Sequence, residues 1–203
     1  SKRLQQHAKL LFEQGSMYTV TNNNLLYHGC IPMTEEGDFQ EVDLGKGKLR
    51  GKALMDFFDQ EMTVARSGID NSEEKNYAVD LTWYLWAGPL SPLFGKHKMA
   101  TFERYFLNDP ETHKEVKDHY YSYRDDPDSC DMILSEFGLE NDDAVILNGH
   151  VPVSVRKGES PVKADGRLIV IDGGFAKAYQ KHTGIAGYRS EEHTSELQSL
   201  LII

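Results

Sequence analysis

Two unbroken apolar runs, Ala144 to Leu147 and Leu168 to Ile171, constrain the fold of this chain more than any other feature. Each is too short for a helix and rich in branched residues, so each reads as a buried strand. Most of what precedes them has helical spacing. Leu4, Ala8, Leu11 and Phe12 mark a first amphipathic helix, and Ala53, Leu54, Phe57, Phe58 and Met62 mark a second. A third is expected from about Ser72 to Trp86, with Ser72 as N-cap and Glu73 and Glu74 in its first turn. A short helix follows around Met99 to Leu107, and another from Asp128 to Phe137 is closed by Gly138. Between the first two helices, Met17 to Tyr27 reads as two short strands, or one with a turn at Asn22 to Asn24, and residues 33–50 as a loop or small hairpin. Gly88, Pro89, Pro92 and Gly95 break any helix over 87–98, and 108–126 is charged and Tyr-rich without a clean period. The two apolar strands are separated by a hairpin-like stretch with turns at Lys157-Gly158 and Asp165-Gly166. The pattern predicts an α/β (α+β) architecture that forms one part of a layered sandwich.

Charge and composition narrow the function classes. The 203 residues carry a net charge of −10, which argues against a nucleic-acid partner, since phosphate backbones require clustered Lys and Arg. No apolar run approaches the length of a membrane span, and no secretory leader opens the chain, so neither a membrane partner nor export is expected. The two cysteines, Cys30 and Cys130, form no CxxC pair and fit a reducing cytoplasmic compartment.

Several segments carry candidate chemistry. His28-Gly29 ends the apolar run Leu25-Leu26-Tyr27, and Gly149-His150 follows Val145-Ile146-Leu147-Asn148. Open α/β sheets place ligands beyond the carboxyl ends of their strands, and neutral imidazole ligates Mn, Fe or Zn. Gly29 would let a ligand or metal approach. The bland alternative for each histidine is a satisfied loop residue. Lys96 and Lys98, in Ser91 to Lys98, could bind phosphate or simply solvate a loop. Lys157 and Ser160 lie in a turn that could hold an anion or only connect a hairpin. Asp172-Gly173-Gly174, after a buried strand, is a tight turn that exposes backbone toward a site or serves structure alone.

The segments Tyr27 to Pro32, Ser91 to Phe106, Asn148 to Pro152, Lys157 to Lys163 and Ile169 to Tyr188 resemble the C-terminal part of class III fructose-1,6-bisphosphatases. These belong to the calcineurin-like metallophosphatases. The resemblance implies an αββα sandwich holding two Mn²⁺ ions and a cytoplasmic, gluconeogenic enzyme. That enzyme would hydrolyse the 1-phosphate of fructose 1,6-bisphosphate, a small-molecule sugar bisphosphate. His28 and His150 match two of the superfamily's metal-ligand motifs. Lys96, Lys98, Arg104, Lys157, Ser160 and Asp172 are the candidates for substrate binding. Three further motifs, Asp-x-His, Gly-Asp near Asp-Arg, and Gly-Asn-His-Glu, have no counterpart in this sequence. Two histidines cannot hold two ions, so the resemblance implies a fragment that is inactive alone.

Residues 1–188 are expected to be the C-terminal part of the metallophosphatase domain. Residues 189–203 read as a non-native tail, since Arg189 to Ser199 resembles the one-frame translation of a sequencing adapter. The tail is expected to be exposed and unpaired with the Leu168 strand. Two other functions remain open: a different dinuclear metallophosphatase of the protein-phosphatase type, or a non-catalytic domain binding a partner through Tyr120, Tyr121 and Tyr123.

Overall fold

The computed structural model describes residues 1–67, 72–172, 177 and 180–183. Helix α1 (Lys2–Gln14) is followed by strands β1 (Tyr18–Thr21) and β2 (Asn24–Tyr27), and by a small hairpin of β3 (Val42–Asp43) and β4 (Lys48–Leu49). Helices α2 (Gly51–Arg66), α3 (Glu73–Ala87), α4 (Thr101–Phe106), α5 (Tyr120–Tyr123) and α6 (Pro127–Glu136) come next. Strands β5 (Val145–Asn148), β6 (Val162–Lys163) and β7 (Leu168–Val170) follow, with a last helical turn, α7, at Gln180–Thr183. The local signals act as expected. Asn22 and Asn23, both at positive φ, turn β1 back onto β2, Ser72 caps α3 through the Lys75 amide, and Gly138 takes the left-handed conformation after α6.

The main sheet runs in the order β1-β2-β5-β7-β6. β2, β5 and β7 are parallel, and β1 and β6 close the two edges antiparallel. The stretch between the two apolar runs is therefore a crossover ending in the β6–β7 hairpin, and it sets those runs side by side. Parallel neighbours cannot be joined by a tight turn, which is why the connection is long. Leu25, Ile146 and Leu168 align across the three strands and are completely buried. One residue further along, Leu26 and Ile169 on the opposite face are only partly buried.

The core on the first face is closed by α2 and α6. Leu54, Met55 and Phe58 of α2 lie at helical spacing with exposures of 0–1%. Cys130, Ile133 and Leu134 of α6 do the same, and burying each large side chain contributes about 1.5–3 kcal/mol. Phe58 also stacks on Tyr84 of α3, their centroids 6.4 Å apart. The opening helix α1 buries none of its residues. The expected tail, residues 189–203, and its pairing with β7 lie outside the described residues. No helix among the described residues is long and apolar enough to cross a membrane.

Candidate functional site

Parallel pairing brings the ends of three strands to one edge of the sheet. Tyr27 aligns with Asn148 and Asn148 with Val170, so His28, Gly149-His150 and Ile171-Asp172 leave the sheet together. The Gly149 amide donates to the His28 carbonyl at 3.0 Å, and the Ile171 amide donates to the Asn148 carbonyl at 2.8 Å. His28 and His150, far apart in sequence, meet with Nε2 of one 3.1 Å from Nδ1 of the other, their rings edge-on. His150 holds a φ of +64°, a left-handed conformation uncommon for a non-glycine residue and concentrated at functional sites. Its Nε2 lies 2.9 Å from the Phe94 carbonyl, to which it donates. That leaves Nδ1 with its lone pair toward His28.

Burial is the main influence that holds both imidazoles below the usual histidine value. For His28 the neighbouring His150 adds to it, opposed by Asp172; for His150 the hydrogen bond to the Phe94 carbonyl and Asp172 oppose it, while the charges of Lys96 and Lys117 add to it. Both rings are therefore neutral near pH 7, the form that ligates metal. The pair also fits a metal in geometry. Bonds of roughly 2.1 Å at a right angle separate two nitrogens by about 3 Å, and a ligand histidine ordinarily donates its other N–H to a carbonyl, as His150 does to Phe94. Among the described residues no group of three or more His, Cys, Asp or Glu is arranged to hold a metal. The pair supplies part of a coordination shell and no more.

Beneath the histidines lies a buried polar network. Asn148, fully buried, donates from Nδ2 to the Tyr120 hydroxyl at 2.7 Å and to the Gly29 carbonyl at 3.2 Å. The Tyr120 and Tyr27 hydroxyls are hydrogen-bonded at 2.8 Å. This network ties the ends of β2 and β5 to α5 and fixes the direction in which both histidines leave the sheet. Tyr120 of the Tyr-rich segment faces inward as a result. Tyr120 has no exposed surface, and Tyr123 donates to the Glu35 carbonyl at 2.6 Å. Tyr121 and Tyr123 are only partly buried, and Tyr120 supports the site from within the core. Sequence reasoning had Tyr120 only as a candidate for binding a partner and missed its place beneath the histidines, although a run of tyrosines with no period was a signal that something other than an amphipathic helix was being built.

Gly29 differs from its expected use. A Cβ there would lie 2.4 Å from the Pro92 carbonyl, so what approaches is the 88–95 loop, held by the Cys30 amide donating to that carbonyl at 2.9 Å. The approach carries the Phe94 carbonyl to His150.

The other candidates are distributed. Asp172 stands beside the histidines, with its Cβ 3.8 Å from the place where a Gly149 Cβ would be. Lys96 donates to Glu115 at 2.7 Å and also bears on His150. Lys98 donates to the Thr112 carbonyl at 2.7 Å, and Arg104 donates to the His113 carbonyl at 3.3 Å and pairs with Glu115 at 3.5 Å. Those two hold the 108–116 segment against α4. Lys157 is exposed on the turn at Val155–Lys157, and the Ser160 hydroxyl accepts from the Val162 amide at 3.1 Å. Gly173 and Gly174 lie outside the described residues.

A family model described as Firmicute fructose-1,6-bisphosphatase matches residues 1–199. The chain belongs to that family. Among curated relatives of the family, "Fructose-1,6-bisphosphatase class 3" of Clostridium acetobutylicum is 56% identical over 191 residues. Proteins of the same description from Clostridium tetani and Clostridium botulinum (strain Kyoto / Type A2) are 53% and 55% identical over 188 residues. In each case the alignment covers 93% of this chain and 28% of the relative, so the chain spans little more than a quarter of the family members it matches. No solved structure matches the chain.

Proposed function

We propose that this chain is the part of a fructose-1,6-bisphosphatase that contributes His28 and His150 to a dinuclear metal centre. The whole protein would hydrolyse fructose 1,6-bisphosphate to fructose 6-phosphate and phosphate, as a cytoplasmic step of gluconeogenesis. The observation that carries this reading is the meeting of the two neutral imidazoles, 3.1 Å apart, at the C-terminal ends of adjacent parallel strands. The sheet would form one half of the calcineurin-like αββα sandwich, whose second layer would pack on the partly buried face of Leu26 and Ile169.

His28 through Nε2 and His150 through Nδ1 would hold metal, manganese in this family, and the remaining ligands would come from parts of the parent with no counterpart here. A bound pair of divalent ions activates water and neutralises charge on phosphoryl oxygens. The chain's own contribution is orientation: the Phe94 carbonyl fixes the His150 tautomer, and the Asn148–Tyr120 network fixes both strand ends. Asp172, next to Gly149, would take part in substrate binding.

The test is phosphate release from fructose 1,6-bisphosphate by the full-length parent with added Mn²⁺. His28→Ala and His150→Ala should each lower kcat at least a hundredfold, and phosphopeptides should not be turned over. The 203-residue chain should be inactive. Wild-type rates in both histidine variants of the parent would refute the reading.

A further inference from the structure

The segments 95–98 and 115–118 pair as an irregular antiparallel ribbon next to the histidines. The His97 amide donates to the Val116 carbonyl, the Asp118 amide to the Gly95 carbonyl, and Lys96 and Lys117 stand directly opposite each other. Directly opposed residues of an antiparallel pair project from the same face, where like charges destabilise. Lys96 is neutralised by Glu115 at 2.7 Å. For Lys117, no carboxylate among the described residues lies within ion-pair distance. Its ammonium rests 5.4 Å above the Tyr121 ring, whose other cationic neighbour, Arg124, is also 5.4 Å from the ring centre. The acid nearest in effect, Glu159, already pairs with Arg124 and Lys163. The Arg124 Nη1, buried, has no acceptor among the described residues.

A chain of net charge −10 thus sets an ammonium with no carboxylate partner among the described residues opposite a second lysine, itself two residues from the Phe94 carbonyl that holds His150, and close to a guanidinium. Burial, then the charges of Arg124 and Lys96, hold the Lys117 ammonium below the usual lysine value, and Lys96 and Lys117 in turn act on His150. Among the described residues only the Tyr121 ring and the more distant Glu159 charge favour this ammonium. An anion between the two lysines would relieve their repulsion and accept charge-assisted hydrogen bonds from both ammonium groups.

We propose that Lys117, with Lys96 opposite it, binds a phosphoryl group of a sugar phosphate presented to the histidine pair. The assignment of the sugar phosphate rests on the phosphatase reading given above; the anion site does not need it. Lysine suits the role as a compact point charge with three rotatable donors.

The test is calorimetric titration of the 203-residue chain, in buffer containing a chelator, with inorganic phosphate and then with fructose 1,6-bisphosphate. The wild-type chain should bind phosphate. Lys117→Gln should weaken that binding at least tenfold, Lys117→Arg should stay within about threefold, and Lys48→Gln, in the distant β3–β4 hairpin, should have no effect. Fructose 1,6-bisphosphate should displace phosphate with the same dependence on Lys117. Absence of phosphate binding in the wild type, or unchanged affinity in a folded Lys117→Gln, would overturn the anion site. A sugar bisphosphate that fails to compete would overturn its assignment to sugar phosphate. Since no metal or turnover is involved, loss of activity in the parent's histidine variants and loss of phosphate binding here report on separate claims.

Discussion

Gly29 and Gly149 occupy matching places beside the two histidines, yet an added methyl group meets very different surroundings at each. At Gly29 an alanine Cβ would sit 2.4 Å from the Pro92 carbonyl oxygen and 3.2 Å from that of Leu93, both backbone atoms that cannot swing aside. Relieving the overlap requires the 88–95 loop to move away, at a packing cost of about 1–3 kcal/mol. The movement also breaks the 2.9 Å bond from the buried Cys30 amide to Pro92, for about 1 kcal/mol more. At Gly149 the same methyl finds only the His28 carbonyl at 3.7 Å and the Asp172 Cβ at 3.8 Å, ordinary contacts, and its φ is not in the left-handed region. There, reduced freedom of the unfolded chain favours alanine by about 0.4–1 kcal/mol. Gly29→Ala should therefore lower stability by about 2–4 kcal/mol and Gly149→Ala should leave it level or slightly raised. In urea unfolding followed by tryptophan fluorescence, the first should move the midpoint down by about 1–1.5 M and the second by less than about 0.4 M. Equal losses in the two variants would refute the claim that backbone approach, and not closeness to a ligand, makes Gly29 necessary.

Three other outcomes follow from the same structure. Tyr120→Phe removes a partner from two buried groups, the Tyr27 hydroxyl and Asn148 Nδ2, and should cost about 1–3 kcal/mol in the same assay, with a strongly non-additive Tyr27→Phe/Tyr120→Phe double variant. Burial pushes Glu115 up, but the Lys96 ammonium, the Ala100 amide and Arg104 outweigh it, leaving its carboxyl below the ordinary 4.5. Its contribution is therefore fully present above that value and lost as pH falls through the lower folded value, so Glu115→Gln should flatten the acid limb of a stability-against-pH curve. Burial pushes the Cys130 thiol up to about 12 and Cys30 well above its usual value; neither should react with a disulfide reagent at pH 8 until the chain is unfolded.

Local signals in the sequence account for the longer helices and the apolar strands, and they pick out the two histidines as candidates. Helical spacing over Ala53 to Met62, the Ser72 cap and the Gly138 stop are local signals, and local conformational preference decides them without help from the rest of the chain. The His28-Gly29 and Gly149-His150 motifs were readable because each is a contiguous pair closing an apolar run and matching a motif of the resembled family. Partnership across long separations has no local signal and comes from the folded chain. The 17–27 hairpin and the 144–171 strands look unrelated in sequence, but Leu25, Ile146 and Leu168 share one buried row, and parallel register then carries His28, His150 and Asp172 to one edge. The basic residues show the same limit. Lys98 and Arg104 have the right charge but are engaged with the 108–116 segment, while Lys117, in a stretch with no period, has no carboxylate partner among the described residues and acts on His150. A side chain's charge is written in its residue type. Whether that charge is already neutralised depends on which distant carboxylate the fold brings within about 4 Å, and no local pattern encodes that distance.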